Sequence, residues 1–163
     1  MKRAFKSMFL SLLLCAALVM TFTGCDDDTS GGTIDEPEIT GEYLAGEYAQ
    51  QLTTDGAEVI VGSVDMEGSD GAYTVHIAEK EVVVNDGYEE GYYIADRNLT
   101  RDAELGPEAR IACMSDGELT VKTPEEFMES YSGDEEQLYE VYLMGESAEL
   151  LLAVDPEDLQ ADQ

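Results

Sequence analysis

From residue 57 onward the chain is written in short β-branched runs broken repeatedly by glycine, a pattern that leaves room for little but strands. Val59-Ile60-Val61-Gly62-Ser63-Val64 is the first run. Tyr73-Thr74-Val75-His76-Ile77-Ala78 alternates apolar and polar residues after the turn signal Glu67-Gly68-Ser69-Asp70-Gly71, so the two runs predict a hairpin. Val82-Val83-Val84, Tyr92-Tyr93-Ile94, Arg110 to Met114 and Leu119-Thr120-Val121 are further strand candidates, with turns at Asn85-Asp86-Gly87 and Gly106-Pro107. Leu138 to Met144 and Glu149 to Val154 predict a closing hairpin across Gly145-Glu146-Ser147-Ala148.

Helical signals are few and short. Between Glu42 and Thr54, Leu44, Tyr48 and Leu52 recur every four residues beside Ala45 and Ala49, and Asp55-Gly56 ends the run. Gly46 is a weak point inside it. A second helix opens at Thr123-Pro124-Glu125-Glu126, where threonine caps, proline takes the first helical position and Glu126 closes a capping box. Phe127 and Tyr131 follow one turn apart, and Gly133 stops the helix. The fold class is therefore mainly β with one or two short helices, built as a small antiparallel barrel or curled sheet. The order of elements resembles an OB-fold, a five-stranded barrel with a helix between its third and fourth strands, over about residues 57 to 154. An open α+β sheet packed by the two helices is the alternative architecture.

The first residues address the chain elsewhere. Lys2, Arg3 and Lys6 precede an apolar run from Met8 to Val19 that falls short of the ~20 apolar residues of a transmembrane helix. A positive start, a short apolar core and a small-residue exit describe a secretory signal peptide. Its exit, Phe22-Thr23-Gly24-Cys25, resembles the lipobox of bacterial lipoproteins, with Phe22 where leucine is usual. The resemblance covers residues 1–25 and implies cleavage between Gly24 and Cys25, with acyl chains on Cys25; no family is recognised for the rest of the chain. Two or three acyl chains together make a stable membrane anchor. The expected organisation is a signal peptide over 1–24, a lipidated cysteine and acidic tether over 25–41, one β-rich domain over 42–155 and a tail over 156–163. The tether is assigned because Asp26-Asp27-Asp28-Thr29-Ser30-Gly31-Gly32 and the residues after it carry too little apolar surface to offset chain entropy.

Charge narrows the partners. The chain holds 37 acidic and 8 basic residues, a net charge of −29. Three of the basic residues and none of the acids precede Cys25, so the cleaved form would carry 37 acids against 5 bases, or −32. Such a surface repels nucleic-acid phosphates and anionic lipid headgroups alike. Nucleic acid is excluded as a partner, and the acyl anchor rather than a basic patch is expected to hold the membrane. Acids spread along the whole chain read first as a solubilising surface.

The search for chemistry returns no catalytic, cofactor or metal residues. One histidine rules out a His-Glu-x-x-His zinc site, and no Cys-x-x-Cys pair replaces it. His76 alternates with Val75 and Ile77 and is expected to face outward on its strand. The stretch from Asp65 to His76 fails as a calcium loop, because His76 stands where a bidentate glutamate belongs. Neither a Gly-x-Ser-x-Gly elbow nor a phosphate-cradling Gly-x-x-x-x-Gly-Lys occurs. Cys113, inside Ala109-Arg110-Ile111-Ala112-Cys113-Met114, is expected in the core.

One cluster points to recognition. Tyr88-Glu89-Glu90-Gly91-Tyr92-Tyr93 sets three tyrosines and two acids beside the turn at Gly87, with Asp96, Arg97 and Arg101 following. Exposed tyrosines supply flat amphipathic contact at low entropy cost, so Tyr88, Tyr92 and Tyr93 form the candidate binding surface. The functional expectation is a membrane-anchored, non-catalytic β-rich module on the extracytoplasmic face, binding a protein, peptide or envelope component. A small cell-envelope hydrolase working through carboxylates, or a low-affinity cation or solute binder, is the alternative.

Overall fold

The computed structural model describes residues 39–160. The expected signal peptide, Gly24, Cys25 and most of the expected tether lie outside the described residues. Six strands follow in the order β1 (Glu58–Ser69), β2 (Ala72–Val84), β3 (Tyr92–Ser115), β4 (Glu118–Lys122), β5 (Leu138–Met144) and β6 (Ser147–Val154). Their alternation is written in burial: Val64 and Met66 are buried while Asp65 and Glu67 are exposed, and Tyr73, Val75 and Ile77 point inward across from them.

The strands close on themselves. β1 pairs with β2, β2 with β3, β3 with β6, β6 with β5, and β5 returns to β1. β4 hangs outside this ring as a hairpin partner of β3. The ring thus holds five strands, with helix α3 (Pro124–Ser130) between the third and fourth of them, which is the OB-like arrangement expected of the sequence. One part of that expectation needs correction, since β3 and β6 run parallel while the other pairs are antiparallel. Geometry requires it, because strand direction cannot alternate all the way round a ring with an odd number of members.

β1 serves both halves of the ring by switching partners at Gly62, which faces Glu79 of β2 and Tyr139 of β5. A Cβ at Gly62 would come within 2.4 Å of the Ala78 carbonyl oxygen, so only glycine lets the strand turn there. The β1–β2 turn shrinks to Asp70-Gly71, both at positive φ, the two-residue type I′ geometry that suits a twisted hairpin. The expected turn at Gly106-Pro107 does not interrupt β3. The strand runs through it, and β3–β6 pairing skips from Leu105 to Arg110, an irregularity that spares Pro107 from supplying an amide it lacks.

Two apolar layers fill the fold. Inside the ring, Val64, Val75, Ile77, Ile111, Cys113, Tyr139, Val141 and Leu151 pack together, and Phe127 of α3 closes one end. The capping box holds α3 in place: Thr123 Oγ1 accepts from the Glu126 amide at 3.2 Å and Glu126 accepts from the Thr123 amide at 2.9 Å. Outside the ring, an N-terminal helical segment covers Ala112, Tyr142, Leu150 and Leu152 with Leu44, Ala49 and Leu52. It consists of α1 (Gly41–Tyr43), a π-helical turn (Leu44–Tyr48) and α2 (Ala49–Thr54), and the weak point at Gly46 coincides with the π turn. Residues beyond Asp155 read as a frayed tail, yet Asp158–Gln160 forms a 3₁₀ turn packed on β2. Among the described residues no helix is long and apolar enough to cross a membrane.

Candidate functional site

Once β1 turns away at Gly62, β2 from Lys80 to Val84 runs on against β3, paired with Tyr92 to Asp96. The outer part of the β2–β3 hairpin therefore continues past the ring as a two-stranded ribbon. Its loop is ordered by its own sequence. Asn85 Oδ1 accepts from the Gly87 amide at 2.9 Å, and the Asn85 amide donates to the Gly91 carbonyl at 2.7 Å. Tyr88 then donates from its amide to the Asn85 carbonyl, and Gly91, at φ 78°, brings the chain back.

This loop sets Tyr88 against Tyr93, with ring centroids 5.1 Å apart and planes 32° from parallel. Tyr92, one residue away, lies on the opposite face of the ribbon by strand alternation. Burial raises the Tyr92 phenol above its usual range, and the carboxylates of Glu90, Asp155 and Glu157 add to the shift. The three candidate tyrosines are therefore not one patch: Tyr88 and Tyr93 form a pair, and Tyr92 faces the C-terminal turn. The ribbon is otherwise unusually apolar at its surface, with Val84 and Tyr88 more than half exposed and Ile94 at 39%. Asp86, Glu89 and Glu90 are exposed residues of the same loop, Glu90 close enough to Tyr92 to raise its phenol.

A second cluster closes the mouth of the ring below the ribbon. Glu79 is only 6% exposed, and its carboxylate accepts from Arg101 Nε at 2.9 Å, with Arg97 3.8 Å away. Arg101 also reaches Glu58 at 2.9 Å, so one guanidinium ties β1, β2 and β3 together where the strands part. These residues line an open groove of about 330 Å³ that Leu159 of the C-terminal turn also lines. Lys80 is paired with Asp96. The cluster joins residues from three strands, so its only sequence signal is that Arg97 and Arg101 are two of few bases after Cys25.

His76 faces outward as expected, in a cross-strand row with Asp65 and Asp102. Its Nδ1 lies 2.7 Å from Asp102, a hydrogen bond that raises the imidazole pKa against a smaller opposing effect of burial. Among the described residues no three His, Cys, Asp or Glu side chains converge as a metal site. Cys113 is fully buried, and burial pushes its thiol up to about 11. The Tyr139 hydroxyl is buried beside it, and burial first, then the neighbouring Cys113 thiol, raises its phenol above the usual range. No protein-family model, curated protein or solved structure matches the chain.

Proposed function

We propose that this chain is a bacterial lipoprotein, held through acyl chains on Cys25 at the extracytoplasmic face of a membrane, whose β-rich domain is a non-catalytic binding module. The outer end of the β2–β3 ribbon is its contact surface, presenting Tyr88 and Tyr93 to a protein, peptide or other envelope component. The observation that carries the binding role is the exposed Tyr88 ring packed on Tyr93 and fixed by the Asn85 turn at the end of the ribbon. An amphipathic aromatic surface that is rigid before contact loses little conformational entropy on binding. The one buried carboxylate among the described residues, Glu79, is already taken up by arginines, which suits a structural role better than a reacting one. The anchoring role rests on Lys2, Arg3 and Lys6, the apolar run and the Phe22-Thr23-Gly24-Cys25 exit.

One experiment tests both halves. The source cells carry a photo-crosslinking phenylalanine analogue in place of Tyr88, in the native background and with Cys25→Ala. The expected result is an acylated, membrane-bound native form that crosslinks a discrete extracytoplasmic partner, while Cys25→Ala leaves the membrane fraction or stays uncleaved. Soluble behaviour of both forms refutes the anchor. A native form that crosslinks nothing from position 88, yet does so from a position on the opposite side of the ring, refutes the contact surface.

A further inference from the structure

Resting on that reading of the ribbon, we infer that the partner is a basic polypeptide segment, with an arginine side chain laid on the Tyr88–Tyr93 ring pair among Asp86, Glu89 and Glu90. Three observations lead there. The ribbon from Glu81 to Asp96 contains five acids and no Lys or Arg. Of these acids, Glu81 and Asp96 are engaged at its base by Arg97 and Lys80, whereas among the described residues Asp86, Glu89 and Glu90 make no ion pair. In the same loop the Tyr88 ring is more than half exposed and packs on Tyr93, so its outer π face, whose negative quadrupole attracts a cation directly, is open to a partner. A planar guanidinium matches this surface better than an ammonium, because it stacks on a ring while its N–H groups remain free to reach carboxylates.

The other occupants fit less well. A second copy would bring the same unpaired acids face to face on a chain of net charge −29. An anionic lipid surface meets the same repulsion. A neutral apolar peptide would satisfy the rings and leave the carboxylates without counter-charge.

The test compares two synthetic decapeptides, one with four arginines spaced by glycine and serine, the other with citrulline at the same places. Citrulline keeps the shape and removes the charge. Binding to the mature, acylated full-length protein in neutral detergent is followed by calorimetry. Sedimentation monitors self-association, and melting curves confirm that each variant is folded. The arginine peptide is expected to bind the native protein and the citrulline peptide not to. Tyr88→Ala/Tyr93→Ala should weaken the arginine peptide roughly threefold to thirtyfold, the range of a cation on aromatic rings. Asp86→Asn/Glu89→Gln/Glu90→Gln should weaken it too and flatten its salt dependence.

Equal binding of the citrulline peptide, abolished by the tyrosine changes, overturns the arginine assignment while leaving the ribbon as contact surface. Arginine-peptide binding that survives both sets of changes overturns the assignment by showing attraction to bulk charge alone. No binding of either peptide, or dimerisation lost with the tyrosine changes, overturns it as well. Failure of the contact surface itself is read separately, from the crosslinking at position 88.

Discussion

Phe127→Ala is the change that most directly tests whether α3 is the plug of the barrel. Phe127 is fully buried, and it is the only buried residue of a seven-residue helix. Its ring meets Tyr139 edge-on at 5.7 Å and lies near-parallel to Tyr131 at 6.5 Å. A helix that short is not stable by itself, so its place depends on this one side chain and on the capping box. Truncation removes the transfer free energy of the ring and leaves a cavity in the end of the barrel, together about 3–5 kcal/mol. With ~120 ordered residues the unfolding entropy at the midpoint is roughly 0.25 kcal/mol/K, so melting should fall by about 12–20 °C. Phe127→Leu keeps most of the buried carbon and loses the ring contacts, and should cost about 1 kcal/mol. Thermal and urea unfolding followed by far-ultraviolet circular dichroism measure both. A loss below ~1 kcal/mol for the alanine variant would show that α3 does not close the ring, because no repacking of a barrel end recovers so much buried area.

Three further outcomes follow from the same structure. Thr123→Ala removes one half of the capping box and should cost about 1 kcal/mol of stability in urea titration, with an unchanged midpoint refuting the cap's role. His76, with a folded-state pKa raised first by its hydrogen bond to Asp102, should stabilise the fold fully below the unfolded value near ~6.5 and lose that contribution as pH rises through the folded value. The melting temperature of Asp102→Asn should therefore fall less than that of the native chain as pH rises through that window, and identical pH profiles would refute the coupling. Cys113, with its thiol pushed up to about 11 by burial, should resist aromatic disulfide reagents at pH 8 until the protein unfolds, and labelling within seconds under native conditions would contradict its placement.

The parts of the fold that were legible in the sequence depend on local rules. Alternation placed Val75 and Ile77 inside and His76 outside, whereas grouping Tyr92 with Tyr93 as one surface overlooked the same rule. The capping box at Thr123 and the break at Gly46 acted through residues at most five apart. Where local rules compete with long-range pairing, they lose. Gly106-Pro107 has turn chemistry, yet β3 continues because β6 on one side and β4 on the other hold its later residues. Glu79-Lys80-Glu81 looks too charged for a strand interior, and β2 runs through it because Arg101, Asp96 and Arg97 answer each charge from β3. The Glu58–Arg101–Glu79 tie is a product of register across three strands. No spacing within one segment reports it.

The acidity that first looked like a bland solubilising surface has a more specific task along β3. Among the described residues this strand pairs from Tyr92 to Ala103 with β2 alone, leaving its other edge without a strand partner for about a dozen residues, the feature that invites sheet-to-sheet association. Asn98, at φ 55°, kinks the edge near its middle. Charge adds to that protection. Antiparallel pairing of two copies centred on Leu99 would set Asp96 opposite Asp102 and Arg97 opposite Arg101, placing like charges directly across from one another. Such pairing would also compete with the Lys80, Glu79 and Glu81 contacts that hold those side chains within one molecule. The same chain can therefore carry an exposed apolar ribbon end, at Val84, Tyr88 and Ile94, without offering its copies a matching strand. Neutralising Asp96 and Asp102 together removes the like-charge clash between those two positions and frees Lys80. Concentration-dependent sedimentation of Asp96→Asn/Asp102→Asn should then show stronger association than the native chain, and a variant that associates no more than the native chain would refute a protective role for these two charges.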